Sequence, residues 1–265
     1  MKDMPLQDVT IGFIGFGNMG QGVARGLVNG GVVGAGNIVA FDIDRDRLMR
    51  DATQLGARAA ASAQEAVAES EVVVIAVKPN LVADVMAPLA DELGGRIVLS
   101  IAWGVWNEQL EAILPGTCHL SVVPNLPIGV GKGVLVVEDT HTLEYEQMAL
   151  IRSLLEPIAL LETVDTAHMS AAGIVSSCAP AFTAVYIEAL ADAGVKYGLR
   201  RDTAYRLAAK MVEGTGAQII EQGMTPAALK DGVCSPGGAT IKGVVALEHE
   251  GFRGAAISAI EAVQG

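Results

Sequence analysis

The feature that most constrains the fold is a glycine-rich run at residues 15–20, Gly-Phe-Gly-Asn-Met-Gly. An apolar run at 9–14 with the character of a β-strand precedes it, and a small-residue helical pattern at 18–28 follows. Between a strand and a helix, the first glycine permits a tight turn, the second lets backbone approach a pyrophosphate, and the third allows close packing. The helix N-terminus then faces the phosphates with unpaired N–H groups. The predicted dinucleotide contacts here are Gly15, Phe16, Gly17, Asn18, Met19 and Gly20.

The rest of the chain divides into an alternating half and a helical half. Strand-like runs are predicted at 9–14, 37–41, 72–77, 97–101, 120–123 and 134–137. Helices are predicted at 18–28, 44–55, 62–69, 81–93 and 106–113, with Ser62 and Asn80 as caps, and no strand is predicted after about residue 165. Alternation of this kind is typical of a mainly parallel sheet covered by helices. The pattern predicts an α/β Rossmann domain, doubly wound and mainly parallel, at residues 1–165, and an all-α domain at 166–265.

Two further segments favour a dinucleotide site at the carboxyl edge of the sheet. The second strand ends at Asp42, whose carboxylate can accept hydrogen bonds from ribose hydroxyls and would repel a 2′-phosphate, which favours NADH over NADPH. The buried run at 72–77 leads into Ala76, Val77, Lys78 and Pro79, which we also assign to the cofactor site. Lys78 is interpreted either as a proton donor or anion contact, or as a solvated turn lysine.

Charge and composition exclude several other classes of function. The chain has 265 residues and a formal net charge of −12, so it lacks the basic face that nucleic acid requires. Its three cysteines and four histidines lack ligand spacing, which predicts neither a metal site nor disulfides and fits a reducing, cytoplasmic compartment. The first residues lack a signal-peptide pattern, and no uncharged apolar run reaches about 18 residues, so no membrane association is expected.

Six segments together resemble one enzyme family, the pyrroline-5-carboxylate reductases, over essentially the whole chain. They are IGFIGFGNMG (11–20), AVKPN (76–80), SIAWG (100–104), VPNLPIGVGKG (123–133), APAFTAVYIEALADAGVKYGLRR (179–201) and LKDGVCSPGGATIKGVVALEHEGFRGA (229–255). The Ser-Pro-Gly-Gly-x-Thr sequence in the last segment is the most specific mark. The resemblance implies reduction of 1-pyrroline-5-carboxylate to L-proline by NADPH or NADH, the last step of proline biosynthesis. It also implies that the helical domain joins subunits into a homodimer or a ring of dimers.

The resemblance also indicates how a small cyclic imino acid would be bound. The predicted substrate contacts are Ser235, Gly237, Gly238, Ala239 and Thr240, where two glycines open a helix and expose N–H groups to a carboxylate. Thr240 is the predicted catalytic residue, with its hydroxyl near the ring nitrogen; a helix-capping role is the alternative. Asn125 is assigned to the cofactor site, or else only stabilises its turn.

Four positions differ from the family pattern and motivate other hypotheses. Ser121 stands where arginine is usual, Leu126 replaces threonine, and Gly173 and Ala179 lie in two further altered stretches. One alternative is a related NAD(P)H-dependent reductase of another cyclic imine, or a relative of the β-hydroxyacid dehydrogenases. The other is a non-catalytic NAD(P)-binding paralogue.

Overall fold

A single eight-stranded sheet dominates the computed structural model, which describes residues 5–264. The strands are β1 (Ile11–Ile14), β2 (Ile38–Phe41), β3 (Arg58–Ala59), β4 (Val72–Ile75), β5 (Ile97–Ser100), β6 (Cys118–Pro124), β7 (Gly133–Glu138) and β8 (Ala159–Val164). Their order is β3-β2-β1-β4-β5-β6-β7-β8, and all neighbours are parallel except β6 and β7. The predicted Rossmann fold is therefore confirmed, and its switch point lies between β1 and β4, where ligands of such sheets bind.

Within residues 5–178, seven α-helices connect the strands or follow them. They are α1 (Asn18–Asn29), α2 (Arg45–Leu55), α3 (Ala63–Ala68), α4 (Val82–Met86), α5 (Asn107–Ile113), α6 (Tyr145–Leu155) and α7 (Met169–Gly173). The predicted cap Ser62 accepts a hydrogen bond from the backbone N–H of Glu65. The predicted helix at 81–93 is wrong, because α4 gives way to 3₁₀ turns at Pro88, whose ring cannot donate a helical hydrogen bond. Asn80 lies in a 3₁₀ turn and caps no helix.

Apolar residues cover both faces of the sheet. Ile11 and Phe13 face a core that includes Val23 and Leu27 of α1. Ile14 faces the opposite core, with Met86 of α4. Burial on both faces explains why the sequence at β4 is a continuous apolar run instead of an alternating one. Each large aliphatic side chain buried in this way contributes about 1.5–3 kcal/mol to folding.

The chain forms two compact units that divide between Cys178 and Ala179, whereas the sequence predicted a boundary after residue 165. The difference arises because Met169 of α7 is fully buried against Val123 and Val136 of the sheet. A single π-helical turn, Ile174–Cys178, ends the first unit.

The second unit contains five helices and no strand within the part that the structure describes. They are α8 (Ala179–Lys196), α9 (Arg201–Gln222), α10 (Pro226–Val233), α11 (Ala239–His249) and α12 (Phe252–Gln264). The buried apolar residues of its described part are all alanines: Ala191, Ala204 and Ala208. Many larger apolar side chains, such as Leu207 and Ile220, remain exposed on a single subunit.

One continuous helical segment, Thr166–Lys196, is long and apolar enough to cross a membrane, with a mean hydropathy of 1.5 over an 18-residue window. This differs from the sequence-based expectation, which considered only uncharged runs. A lone segment of this kind is weak support for a membrane span, because helices that pack inside soluble proteins have the same length and composition.

Candidate functional site

The turn between β1 and α1 requires glycine at positions 15 and 20. Gly15 has a φ of +93°, and a Cβ there would lie 2.7 Å from the carbonyl carbon and oxygen of Ala76. A Cβ on Gly20 would lie 2.9 Å from the carbonyl oxygen of Gly15. The glycine turn is therefore packed directly against Ala76, at the end of β4.

Gly17 is different, because it faces open space. A Cβ on Gly17 would have no neighbour within 4 Å, and its φ of −76° suits any residue. Gly17 is the N-cap of α1 without a side-chain hydrogen bond, and the first helical bond runs from the N–H of Gln21 to its carbonyl. The N–H groups of the first turn are thus available to an external acceptor. An open glycine before a helix N-terminus fits the pyrophosphate of a dinucleotide.

Asp42 lies directly after β2 and is 9% exposed. Its Oδ2 accepts hydrogen bonds from the backbone N–H of Phe16 at 2.8 Å and from Nη2 of Arg47 at 3.0 Å. Its Oδ1 accepts a bond from the backbone N–H of Asp44 at 3.0 Å. The acid predicted to bind ribose thus also anchors the glycine turn, a role that sequence spacing alone did not indicate.

The segment after β4 lies at the same carboxyl edge of the sheet. Ala76 donates its N–H to the carbonyl of Ile14 at 2.8 Å, while Val77 is half-buried and Pro79 is exposed. Lys78 is exposed, and its ammonium forms no hydrogen bond or ion pair with any residue from 5 to 264. Its assignment to the cofactor site stays a prediction.

A cleft of about 300 Å³ lies between α1 and the turn that follows β6, next to the glycine turn. It is lined by Asn18, Gln21, Gly22, Arg25, Leu126, Gly129 and Val130. Met19, the neighbour of Asn18 in the first turn of α1, is half-buried. The variant residue Leu126 is exposed in this cleft, at the start of the turn that follows β6.

Asn125 is buried, and the protein uses both ends of its amide. Its Oδ1 accepts a hydrogen bond from the N–H of Val134, and its Nδ2 donates to the carbonyl of Ser176, each at 2.9 Å. Ser177 donates its hydroxyl to the carbonyl of Pro124 at 3.0 Å. These bonds hold the π-helical turn against the end of β6. They support the turn-stabilising interpretation of Asn125, while direct contact with the cofactor stays a prediction.

The predicted substrate segment of the second unit opens helix α11. Gly237 has a φ of +70°, and Gly238 is the N-cap, with its N–H donating to the carbonyl of Ser235 at 3.0 Å. Ala239 and Thr240 are exposed in the first turn. The hydroxyl of Thr240 has no hydrogen-bond partner among the residues that the structure describes, so it does not cap the helix. The first turn of α11 thus exposes both backbone N–H donors and the free hydroxyl of Thr240.

The other variant positions have structural roles or lie at boundaries. Ser121 is buried and donates its hydroxyl to the carbonyl of Val105 at 3.0 Å. Gly173 packs so closely on the ring of Trp103 that a Cβ would overlap it. Ala179 is the first residue of α8. Within residues 5–264, no group of three or more His, Cys, Asp or Glu residues could hold a metal ion.

Two family models match the chain, one in each half. The model described as "Pyrroline-5-carboxylate reductase dimerisation" matches residues 166–265. The model described as "NADP oxidoreductase coenzyme F420-dependent" matches residues 10–104, which include the glycine turn and Asp42.

Individual relatives extend the match over the full length. Pyrroline-5-carboxylate reductase of Treponema pallidum (strain Nichols) is 46% identical over 96% of this chain and 98% of its own. The chain belongs to the pyrroline-5-carboxylate reductase family. The Escherichia coli (strain K12) member is 36% identical over 94% of both chains. The crystal structure of the Plasmodium falciparum enzyme, with NADP bound, has a TM-score of 0.85 at 25% identity and covers 97% of this chain and 96% of its own. The predicted family and its class, a nicotinamide-dependent oxidoreductase, are confirmed, and the dimerisation model supports assembly into oligomers.

Proposed function

We propose that this protein reduces 1-pyrroline-5-carboxylate to L-proline with a reduced nicotinamide dinucleotide, the last step of proline biosynthesis. The observation that carries the proposal is the full-length identity of 46% to a relative of that name. The open turn at Gly17 and the exposed opening of α11 provide the anion sites that such a reaction needs.

The first unit supplies the cofactor site in this proposal. Gly17 and the first turn of α1 bind the pyrophosphate through backbone N–H groups. Asp42 retains acceptor capacity for a ribose hydroxyl, which supports NADH as one coenzyme. The bound nicotinamide supplies the hydride. Ala76 and Val77 border the turn and exclude water from one side of it.

The second unit supplies the substrate site. Backbone N–H groups at the start of α11, opened by Gly237 and Gly238, bind the substrate carboxylate. Ser235 adds a hydroxyl beside this opening. Thr240 offers a free hydroxyl that can hydrogen-bond to the ring nitrogen as it becomes an amine. The imine carbon is electrophilic once the ring nitrogen is protonated, so the side chains mainly orient the substrate.

Assembly and location form two further parts of the proposal. We propose a homodimer or a ring of dimers, because the second unit buries few of its apolar side chains on its own. We also propose a cytoplasmic protein, since Cys118, Cys178 and Cys234 are all unpaired.

The decisive experiment is oxidation of NADH and NADPH by purified protein with 1-pyrroline-5-carboxylate, compared with the six-membered cyclic imino acid. Turnover of the five-membered substrate, reduced about ten- to hundredfold in Thr240→Ala, supports the proposal. Turnover only with the six-membered ring would favour the second candidate, a reductase of another cyclic imine, which the exposed Leu126 motivates. Tight cofactor binding without any turnover would instead indicate a non-catalytic paralogue.

A further inference from the structure

The carbonyl group of Phe16, inside the glycine turn, is held by the side chain of Gln21. Gln21 lies in α1, and its Nε2 donates a hydrogen bond to the carbonyl oxygen of Phe16 at 2.9 Å. The same Nε2 donates to Oδ2 of Asp51 at 2.7 Å, and Oε1 of Gln21 accepts a bond from Nη2 of Arg25 at 3.2 Å. Because two acceptors face Nε2 and a donor faces Oε1, these partners fix the orientation of the amide and use both of its N–H groups.

Asp51 anchors this amide from helix α2. Its carboxylate is buried, and its Oδ1 accepts a hydrogen bond from Nε of Arg50 at 2.9 Å. The bond from Arg50 lowers the pKa of Asp51 below its ordinary value, and the bond from Gln21 adds to this effect, although burial opposes it. Asp51 therefore remains an ionised acceptor near neutral pH. A continuous chain of side-chain bonds thus runs from α2 through Gln21 to the glycine turn.

The carbonyl of Phe16 and the N–H of Gly17 belong to one peptide group. In a planar trans peptide, the C=O and N–H bonds point in opposite directions. Because the carbonyl points to Gln21, the N–H of Gly17 points to the other side, where it has no acceptor among the described residues. Glycine rotates about its backbone bonds at little cost, so the backbone at Gly17 does not fix this direction by itself.

We propose that Gln21, anchored by Asp51, is a positioning residue: it holds the Phe16–Gly17 peptide so that the N–H of Gly17 is directed at the pyrophosphate of the coenzyme. The inference rests on the proposed dinucleotide site. Gln21 acts through the peptide and not by direct contact, since the protein already uses both of its donors. Rotation of the released peptide would turn the electronegative carbonyl oxygen towards the pyrophosphate, in place of a donor.

The test measures the affinity for NADH by fluorescence titration, together with KM for NADH and kcat. Gln21→Met keeps the length of the side chain and removes the donor. We expect the Kd and KM for NADH to rise about ten- to hundredfold, the equivalent of one hydrogen bond to a charged group. The value of kcat at saturating NADH should change by less than about twofold, because the bond is made equally before and during hydride transfer.

Three further variants separate the donor from the shape of the side chain. Gln21→Lys supplies N–H donors to the same carbonyl and carboxylate and should restore most of the affinity. Gln21→Glu places a carboxylate against two acceptors and should bind NADH more weakly than Gln21→Lys; this pair decides the matter if Gln21→Met does not fold. Gln54→Met is the matched control, because Gln54 is exposed and contacts Arg25 but not the glycine turn, so NADH affinity should be retained.

Several results would overturn the proposal. Unchanged NADH affinity in Gln21→Met, a loss of kcat without a change in Kd, or equal affinities in Gln21→Lys and Gln21→Glu would each show that Gln21 does not position the turn, and would leave the dinucleotide site standing. Failure of the unaltered protein to bind either NADH or NADPH would overturn the dinucleotide site itself, and the inference with it.

Discussion

The backbone N–H of Phe16 and the carboxylate of Asp42 are joined by a buried hydrogen bond of 2.8 Å. Phe16 lies within the glycine turn, where we propose that the pyrophosphate binds, whereas Asp42 directly follows β2 and is the proposed ribose contact. One carboxylate therefore links the two parts of the proposed adenosine-binding site.

Removal of this carboxylate should affect stability as well as binding. In Asp42→Ala, the N–H groups of Phe16 and Asp44 lose their acceptor and Arg47 loses its partner. We expect the free energy of unfolding to fall by about 1–3 kcal/mol, measured by urea denaturation without cofactor. NADH binding should weaken as well. The exposed Asp46 provides a control, since Asp46→Ala should change stability by less than about 1 kcal/mol. Equal stability of the two variants would contradict this account.

Two glycines of the same turn should respond in opposite ways. Gly17→Ala places a methyl group in open space at an ordinary φ, so stability without cofactor should be unchanged or rise by up to about 1 kcal/mol. Dinucleotide binding should nevertheless be lost, because the methyl group occupies the proposed pyrophosphate site. Gly15→Ala combines a φ of +93° with overlap on Ala76, and should cost more than about 2 kcal/mol. Thermal unfolding and NADH titration measure both effects. Normal NADH affinity in Gly17→Ala would exclude the proposed pyrophosphate site at Gly17.

Thr240 should matter for turnover and not for folding. Its hydroxyl is exposed and makes no hydrogen bond to any described residue, so Thr240→Ala should unfold as the native protein does. We expect kcat to fall about ten- to hundredfold, the equivalent of one hydrogen bond to a group that carries charge. Thr240→Ser keeps the hydroxyl and should recover most of the rate. Similar kcat values in all three proteins would mean that Thr240 has no catalytic role.

His119 should make stability dependent on pH. Burial lowers the pKa of this fully buried histidine below its ordinary value, although Glu111 and Glu138 oppose the shift. Below about pH 6.5 the unfolded chain takes up a proton that the folded chain does not, so stability is complete above that pH and decreases below it. Below that pH, the free energy of unfolding decreases by up to about 1.4 kcal/mol per pH unit.

The measurement for His119 is denaturation at fixed protein concentration between pH 7.5 and 5. His119→Gln should flatten the profile, whereas His249→Gln, at an exposed position of α11, should leave it unchanged. A profile that His119→Gln does not alter would assign the acid sensitivity to other groups.

Asn125 should act through the π-helical turn. Asn125→Ala removes the side-chain acceptor of the half-buried Val134 N–H and the side-chain donor to the carbonyl of Ser176, and should cost about 1–3 kcal/mol. Ser177→Ala, in contrast, removes the neighbouring bond together with its donor, and should cost about 1 kcal/mol or less. If Asn125 instead contacts the cofactor, Asn125→Ala would weaken NADH binding without this loss of stability. Urea denaturation and NADH titration distinguish the two.

The glycine turn and the buried strands were predictable because their signals are local. The glycine spacing at 15–20 predicts a glycine turn between a strand and a helix, and the continuous apolar run of β4 predicts a buried strand. Strand β8 was missed because only its first three residues form an apolar run and none of its residues is buried, so the sequence signal is short. The break at Pro88 was a local signal that an otherwise helical pattern obscured.

The bonds that define the site are long-range, and this is why the sequence did not indicate them. Spacing placed Asp42 near ribose, but only the fold brings it to the N–H of Phe16 and to Arg47. In the same way, Asn125 meets Ser176 across 51 residues. A residue type can suggest an available donor or acceptor, yet whether the protein has already used it depends on tertiary structure.

The second unit buries three alanines and little else. The survival of a newly made subunit therefore depends on the concentration of the other subunits with which it can associate. Until it associates, its apolar helices remain open to chaperones and proteases, so degradation would remove subunits made at low abundance.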